Sequence, residues 1–266
     1  MTQALSLILI GWAAAATVML VLWAIYHKTG NATLVDFGWT ANLAMIALIY
    51  ALLGNGQGLH RGLMAFMALL WSARLSSHIF KRVLTGKEDE RYTDMKKRWG
   101  GNITVKFFFM FQFQALTDVL LSIVFLFPAL NPRPGLSALE IAGFILWGVA
   151  LSGETLADHQ LKTFKSNPAS KGKTCRAGLW NYSRHPNYFF EWLNWCAYFL
   201  LALASPHGWI GIVSPALMLF FLFRVSGIPL TEAQSLKSKG DDYRRYQRTT
   251  SVFIPWFPKK EQHGPA

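Results

Sequence analysis

Between Ala4 and Tyr26 the chain reads ALSLILIGWAAAATVMLVLWAIY, without one charged side chain. A helix needs about 20 mostly apolar residues to cross the hydrocarbon core of a bilayer. This stretch supplies them. It is longer than the apolar region of a signal peptide, and its small-residue run, Ala13 to Ala16, lies inside it rather than after it, so it reads as a retained span. Working outward, stretches of the same kind run from Leu34 to Leu53, Gly62 to Phe80, Ile103 to Phe127, Ala138 to Leu156, Tyr188 to Ala204 and Trp209 to Ile228. Gly54-Asn55-Gly56, Asn131-Pro132-Arg133-Pro134-Gly135 and Ser205-Pro206-His207-Gly208 punctuate them as tight polar turns. The pattern predicts an all-α polytopic membrane protein of seven transmembrane helices, folded as one domain over residues 1–266.

The charges agree with that count. Apolar residues are 52% of the 266 and charged residues only 15%, yet 26 Lys and Arg against 14 Asp and Glu leave a net charge of +12. Such a composition excludes intrinsic disorder, a collagen-like fibre and a disulfide scaffold. The basic residues cluster: Lys28 after the first span, Lys81 to Arg98 after the third, Lys162 to Arg184 after the fifth, and Lys237 to Lys260 after the seventh. The alternate loops hold only Arg61 and Arg133. With seven spans every basic segment falls on one side, as the positive-inside rule requires. The N-terminus is then outside and the C-terminus cytoplasmic, with the expected location the bacterial inner membrane. Topology accounts for the basic patches, so no nucleic-acid partner is expected. Cys175 and Cys196 lack metal-ligand spacing, and no metal is expected.

Ionisable groups at membrane depth are costly and face a bundle interior or a wet cavity. Arg74, His78 and Arg82 recur every four residues and share a helix face; so do Glu154 and Asp158, and Asn187 and Glu191. These helix ends all belong to the cytoplasmic side, which points to a polar cavity open to the cytosol. Blander uses stand beside this one: Arg82 snorkelling at the interface, Arg74 paired with Asp36 as a structural ion pair, His78 a satisfied interior histidine, and Asp118 a structural group.

The densest chemistry lies in GLWNYSRHPNYFFE, Gly178 to Glu191. Pro186 suits the first turn of a helix. Arg184 and His185 then stand just before its N-terminus, a place suited to a phosphate. Asn187 and Glu191 offer an amide and a carboxylate one turn apart, able to bind an amide group or ribose hydroxyls. Glu232, Tyr243, Tyr246 and Arg248 follow the last span in a basic tail ending Ile254-Pro255-Trp256, and residues 231–266 are expected to fold back as a cytoplasmic lid.

This stretch, together with Arg74-Leu75-Ser76-Ser77-His78 and Glu88-Asp89-Glu90-Arg91-Tyr92, resembles the DUF1295 branch of the steroid 5-alpha-reductase family over most of the chain from Leu34 to Pro255. The resemblance implies a seven-helix membrane enzyme that uses NADPH to reduce a carbon–carbon double bond conjugated to a ketone, without a Rossmann domain. By position it implies cofactor contacts from Arg74, Arg82, Asp158, Arg176, Tyr182, Arg184, His185, Asn187, Glu191, Tyr243 and Arg248. The chain departs from the family in span two, which has no Glu; its only carboxylate is Asp36. Asp36 is therefore the candidate acid, with His78 or Tyr92 as alternatives. The cofactor would carry the hydride, and the protein would orient it and stabilise charge on the carbonyl oxygen.

The expected partners are an apolar substrate entering from the bilayer and the membrane lipids themselves; the oligomeric state stays open. A second reading competes. Isoprenylcysteine carboxyl and phospholipid methyltransferases carry a very similar Arg-His-Pro-x-Tyr-x-x-Glu stretch for S-adenosylmethionine, so Arg184 to Glu191 does not separate the classes. A non-catalytic lipid-binding or sensor protein on the same fold is the third.

Overall fold

The computed structural model describes residues 2–84 and 88–260, leaving aside the side chains of residues 78 and 81–84. Every element among the described residues is helical: α1 (Thr2–Thr29), α2 (Leu34–Leu53), α3 (Gly58–Leu84), α4 (Glu90–Arg98), α5 (Ile103–Ala129), α6 (Ala138–Ser166), α7 (Pro186–Leu203), α8 (Val213–Phe220), α9 (Ile228–Lys239) and α10 (Asp241–Thr249), with short 3₁₀ and π turns between some of them. Five helical runs are long and apolar enough to cross a membrane: α1, α2, α5, α6 and the run Gly208–Lys239. The stretches expected at 62–80 and 188–204 form helices α3 and α7, which fall outside those five.

The chain divides into two compact units, Met1–Ile141 with Tyr198–Ser214, and Ala142–Ala197 with Pro215–Ala266. In the first, α2 lies against α1, α3 and α5. Trp71, Tyr50, Phe107, Phe111 and Phe125 fill its core. Polar side chains inside are paired across helices: Asn42 Nδ2 donates to Asp118 Oδ2 at 2.9 Å, Ser72 Oγ to the Thr40 carbonyl at 2.8 Å, and Tyr50 and Ser122 meet at 3.2 Å. Pairing is what makes such groups affordable away from water. At one end His60 bonds Glu140 and, through Nε2, the Arg133 carbonyl at 2.7 Å. The structural use expected of Asp118 fits its bond to Asn42.

In the second unit α6 outruns its apolar stretch, continuing from Leu156 to Ser166 through Lys162 and Lys165. Good helix formers extend a helix past the point where hydropathy stops marking it. Gly153 lets α7 approach, since a Cβ there would lie 2.5 Å from the ring of Phe190. The stretch read as one span over 209–228 is not a continuous α-helix. It begins as 3₁₀ at Gly208–Ile212, becomes α8, loosens to a π turn at Phe221–Val225, and breaks before α9. Gly227 makes the break possible: a Cβ there would meet the Leu222 carbonyl oxygen at 2.5 Å. Pro229 then sits in the first turn of α9, where a missing N–H costs little.

Candidate functional site

Three polar constellations take in most of the residues singled out above, one in the first unit and two in the second.

In the first unit the segment leading into α4 covers the start of α2. Asp89 caps α4, its side chain accepting from the Arg91 amide at 3.0 Å. That cap sets the next residues on Asp36: Arg91 Nη2 donates to Asp36 Oδ2 at 2.7 Å, and the Tyr92 hydroxyl to Oδ1 at 2.6 Å. Asp36 is thus joined to Arg91, where the sequence had offered Arg74. Glu88 locks the segment from the other side, accepting from the Ala32 amide at 2.8 Å and from Lys96 at 2.7 Å. Tyr92 is 5% exposed. Burial, and next the charge of Asp36, hold its hydroxyl well above the ordinary tyrosine range, against the opposing pull of Arg91. The group keeps its proton at any physiological pH. Arg74 is half-buried on α3. His78 and Arg82 lie outside the described side chains.

In the second unit a polar seam runs where α6 meets α7. Asn187 Nδ2 donates to Asp158 Oδ1 at 3.3 Å, and Asn194 Nδ2 to Glu154 Oε2 at 3.4 Å. Glu191, between the two asparagines on α7, is 8% exposed and accepts from Trp195 Nε1 at 2.9 Å. Asn194 Oδ1 is buried with no hydrogen-bond partner among the described residues. Asn194 was missed, although it follows Asn187 at the seven-residue interval that returns a helix to the same face.

The motif loop before α7 is tied to the C-terminal segment. Arg184 Nε donates to Glu232 Oε1 at 2.6 Å, and its Nη1 to the carbonyls of Gln247 and Thr250 at 2.8 and 2.9 Å. His185 is 2% exposed, bonds the same Glu232 oxygen at 3.3 Å and stacks on Tyr188. Burial lowers the His185 pKa, while Glu232 works in the opposite direction. Backbone bonds complete the join, from the Arg184 amide to the Ser251 carbonyl at 2.8 Å and from the Trp256 amide to the Tyr182 carbonyl at 2.9 Å. Tyr246 reaches the carbonyls of Trp180 and Ser183. Tyr243 is buried 3.5 Å from Glu232, and Gln247 donates to Glu232 Oε2 at 2.9 Å. Arg176 bonds the carbonyl and carboxylate of Asp242 at 3.0 and 3.3 Å. Tyr182 and Arg248 are exposed.

Arg184, read from sequence as suited to a phosphate, and Arg176, a cofactor contact implied by the resemblance, therefore both have carboxylate partners within the chain. Asp158 and Asn187 meet, and Glu191 lies one turn farther along α7. Asp242 carries no sequence signal for its bonds to Thr174 and Arg176, which lie more than sixty residues away, and Gln247 none for its bond to Glu232 on the preceding helix.

Residues 22–250 match the model of a family described as protein of unknown function, DUF1295. The chain is 28% identical over 270 residues to an uncharacterised protein of Schizosaccharomyces pombe, covering 88% of this chain and 76% of that one. It is 36% identical over 97 residues to a probable O-methyltransferase of Ustilaginoidea virens, covering 36% of this chain and 32% of that one. It is 28% identical over 116 residues to 3-oxo-5-alpha-steroid 4-dehydrogenase 1 of Rattus norvegicus, covering 44% of this chain and 41% of that one. The chain thus spans less than half of either named enzyme. No solved structure matches.

Proposed function

The chain belongs to the DUF1295 family, and from that premise we propose that it is an NADPH-dependent membrane reductase acting on a carbon–carbon double bond conjugated to a ketone in a lipophilic substrate. The similarity to a 3-oxo-5-alpha-steroid 4-dehydrogenase supports the reaction class. Seven spans, with the N-terminus outside and the basic loops cytoplasmic, remain the topology that the charge distribution supports.

The observation that carries the reading is the seam of α6 and α7. Its residues fit a dinucleotide. Buried amides and carboxylates are the groups that hold ribose hydroxyls and a carboxamide, and the unpartnered Asn194 Oδ1 requires a donor. Asp158, Asn187, Glu191 and Asn194 would hold the cofactor, with the tail from residue 231 as its lid. NADPH supplies the hydride when bound. The remaining work falls to the chain's own side chains. In the first unit both oxygens of Asp36 accept hydrogen bonds, one from Arg91 and one from the Tyr92 hydroxyl, and in the proposed reaction this hydroxyl supplies the proton, with Asp36 as the positioning residue.

The test is nucleotide retention by the purified full chain. Binding of NADPH, read as reduced-nicotinamide absorbance comigrating with the protein, is the expected result. Binding of labelled S-adenosylmethionine with no NADPH binding overturns it in favour of the methyltransferase reading, which the similarity to a probable O-methyltransferase supports.

A further inference from the structure

A cavity of about 380 Å³ opens in the second unit where the last turns of α6 and α9 meet the loop that follows α6. Four lysines line it, Lys165, Lys171, Lys173 and Lys239, and no acidic side chain does. We propose that this pocket binds a phosphate group, borne by a soluble phosphate ester or by a phospholipid headgroup.

The sidedness of basic loops explains why lysines lie in this part of the chain, but not why four of them line one cavity. Two helix C-termini contribute about half a negative charge each, which leaves most of the lysine charge uncompensated. None of the four forms an ion pair among the described residues. Asp242, whose charge acts on Lys239, is itself held by the Thr174 amide at 2.7 Å, Arg176 at 3.3 Å and Arg245 at 3.9 Å. Lys239 lies over the Tyr243 ring at 5.4 Å, which leaves its charge in place.

The chemistry of the lining narrows the ligand. The amides of Ser170, Lys171 and Lys173 are spent on hydrogen bonds within the loop, so the pocket presents ammonium groups rather than a cradle of backbone N–H. Lysine is a compact point charge, and four of them select charge density over planar shape. That favours phosphate over a carboxylate. Leu161 and Phe164 form an apolar wall, and a low-dielectric wall strengthens the attraction.

The experiment uses the full chain in neutral detergent. Equilibrium dialysis against labelled orthophosphate is run beside phosphorus analysis of the purified chain, which counts any headgroup carried through purification. The expected result is one phosphorus per chain, retained or taken up, beyond the three of each NADPH that the chain carries. The double variant Lys171→Gln/Lys173→Gln should weaken it at least tenfold. Lys259→Gln/Lys260→Gln, with the same loss of charge in the tail, should change it less than twofold. Competition by glycerol 3-phosphate identifies a soluble ester as the source, and competition by phosphatidic acid alone identifies a lipid headgroup; both outcomes support the site. Equal losses in the two variants, or no such phosphorus retained or taken up, overturn it.

Discussion

Glu232 on α9 lies 2.6 Å from Nε of Arg184, a residue 48 positions earlier, and its second oxygen receives Gln247 from α10. One carboxylate therefore joins the motif loop to both helices of the C-terminal segment. The two side chains are 12% and 17% exposed, which places the pair nearer the buried than the surface case. Replacing Glu232 by Ala leaves the Arg184 charge enclosed without its partner, and losses of about 3 kcal/mol are typical of such changes. The expected outcome is a lowered unfolding midpoint and faster proteolytic removal of the tail. An unchanged midpoint together with unchanged proteolysis would remove the pair from the account of how the tail is held.

Asp242 ties the loop before the motif to α10. Burial pushes its pKa up, but the bonds from Thr174 and the charge of Arg176 outweigh that and leave it below the ordinary aspartate range. A carboxylate depressed in the folded state contributes stability in full above its unfolded value of about 3.9, and the contribution is lost as pH falls through the folded value. Asp242→Asn should therefore lower the unfolding midpoint by a constant amount from pH 7 down to about pH 5. The gap should then close on further acidification. A gap that widened in acid would contradict this sign.

Much of the fold was legible because apolar length is a local signal. Leu34 to Leu53 was read to the residue, and Ile103 needed only the Asn102 cap to fix its start. Hydropathy did not mark the continuation of α6 past Leu156, which rests on helix propensity, nor the break at Gly227, which depends on how closely the backbone packs. The same division holds for the site. Asp158, Asn187 and Glu191 follow from helical spacing, whereas the partners of Arg184 and Arg176 lie on α9 and α10 and are found only once the chain is folded. A basic residue in a motif looks like a phosphate ligand until its carboxylate is seen.

Tyr92 and Asp36 have separable roles in the proposed reaction. Tyr92→Phe removes the donor but keeps the ring in its packing against Phe107. Turnover should fall by about 10²–10⁴, the usual worth of a positioned proton donor, with NADPH affinity unchanged. Asp36→Asn leaves Tyr92 its proton and an acceptor, so the loss should be smaller. It should also shift the pH profile, because the Asp36 charge helps hold the tyrosine pKa up. If Tyr92→Phe turns over at the wild-type rate, the proton comes from elsewhere.

Glu191 tests the cofactor assignment without endangering the fold. Its Oε1 accepts from Trp195 Nε1, and a glutamine oxygen preserves that bond, so Glu191→Gln should keep a cooperative unfolding transition. What it loses is a carboxylate oxygen, replaced by an amide NH2 that cannot accept from a ribose hydroxyl. Leaving a buried group without its hydrogen bond costs about 1–3 kcal/mol, so NADPH affinity should weaken between about fivefold and a hundredfold. Asn187→Ala, which leaves Asp158 without its amide, should weaken it as well. Equal NADPH affinity in wild type and a folded Glu191→Gln chain would move the cofactor off the α6–α7 seam, and with it the reading that rests on that seam.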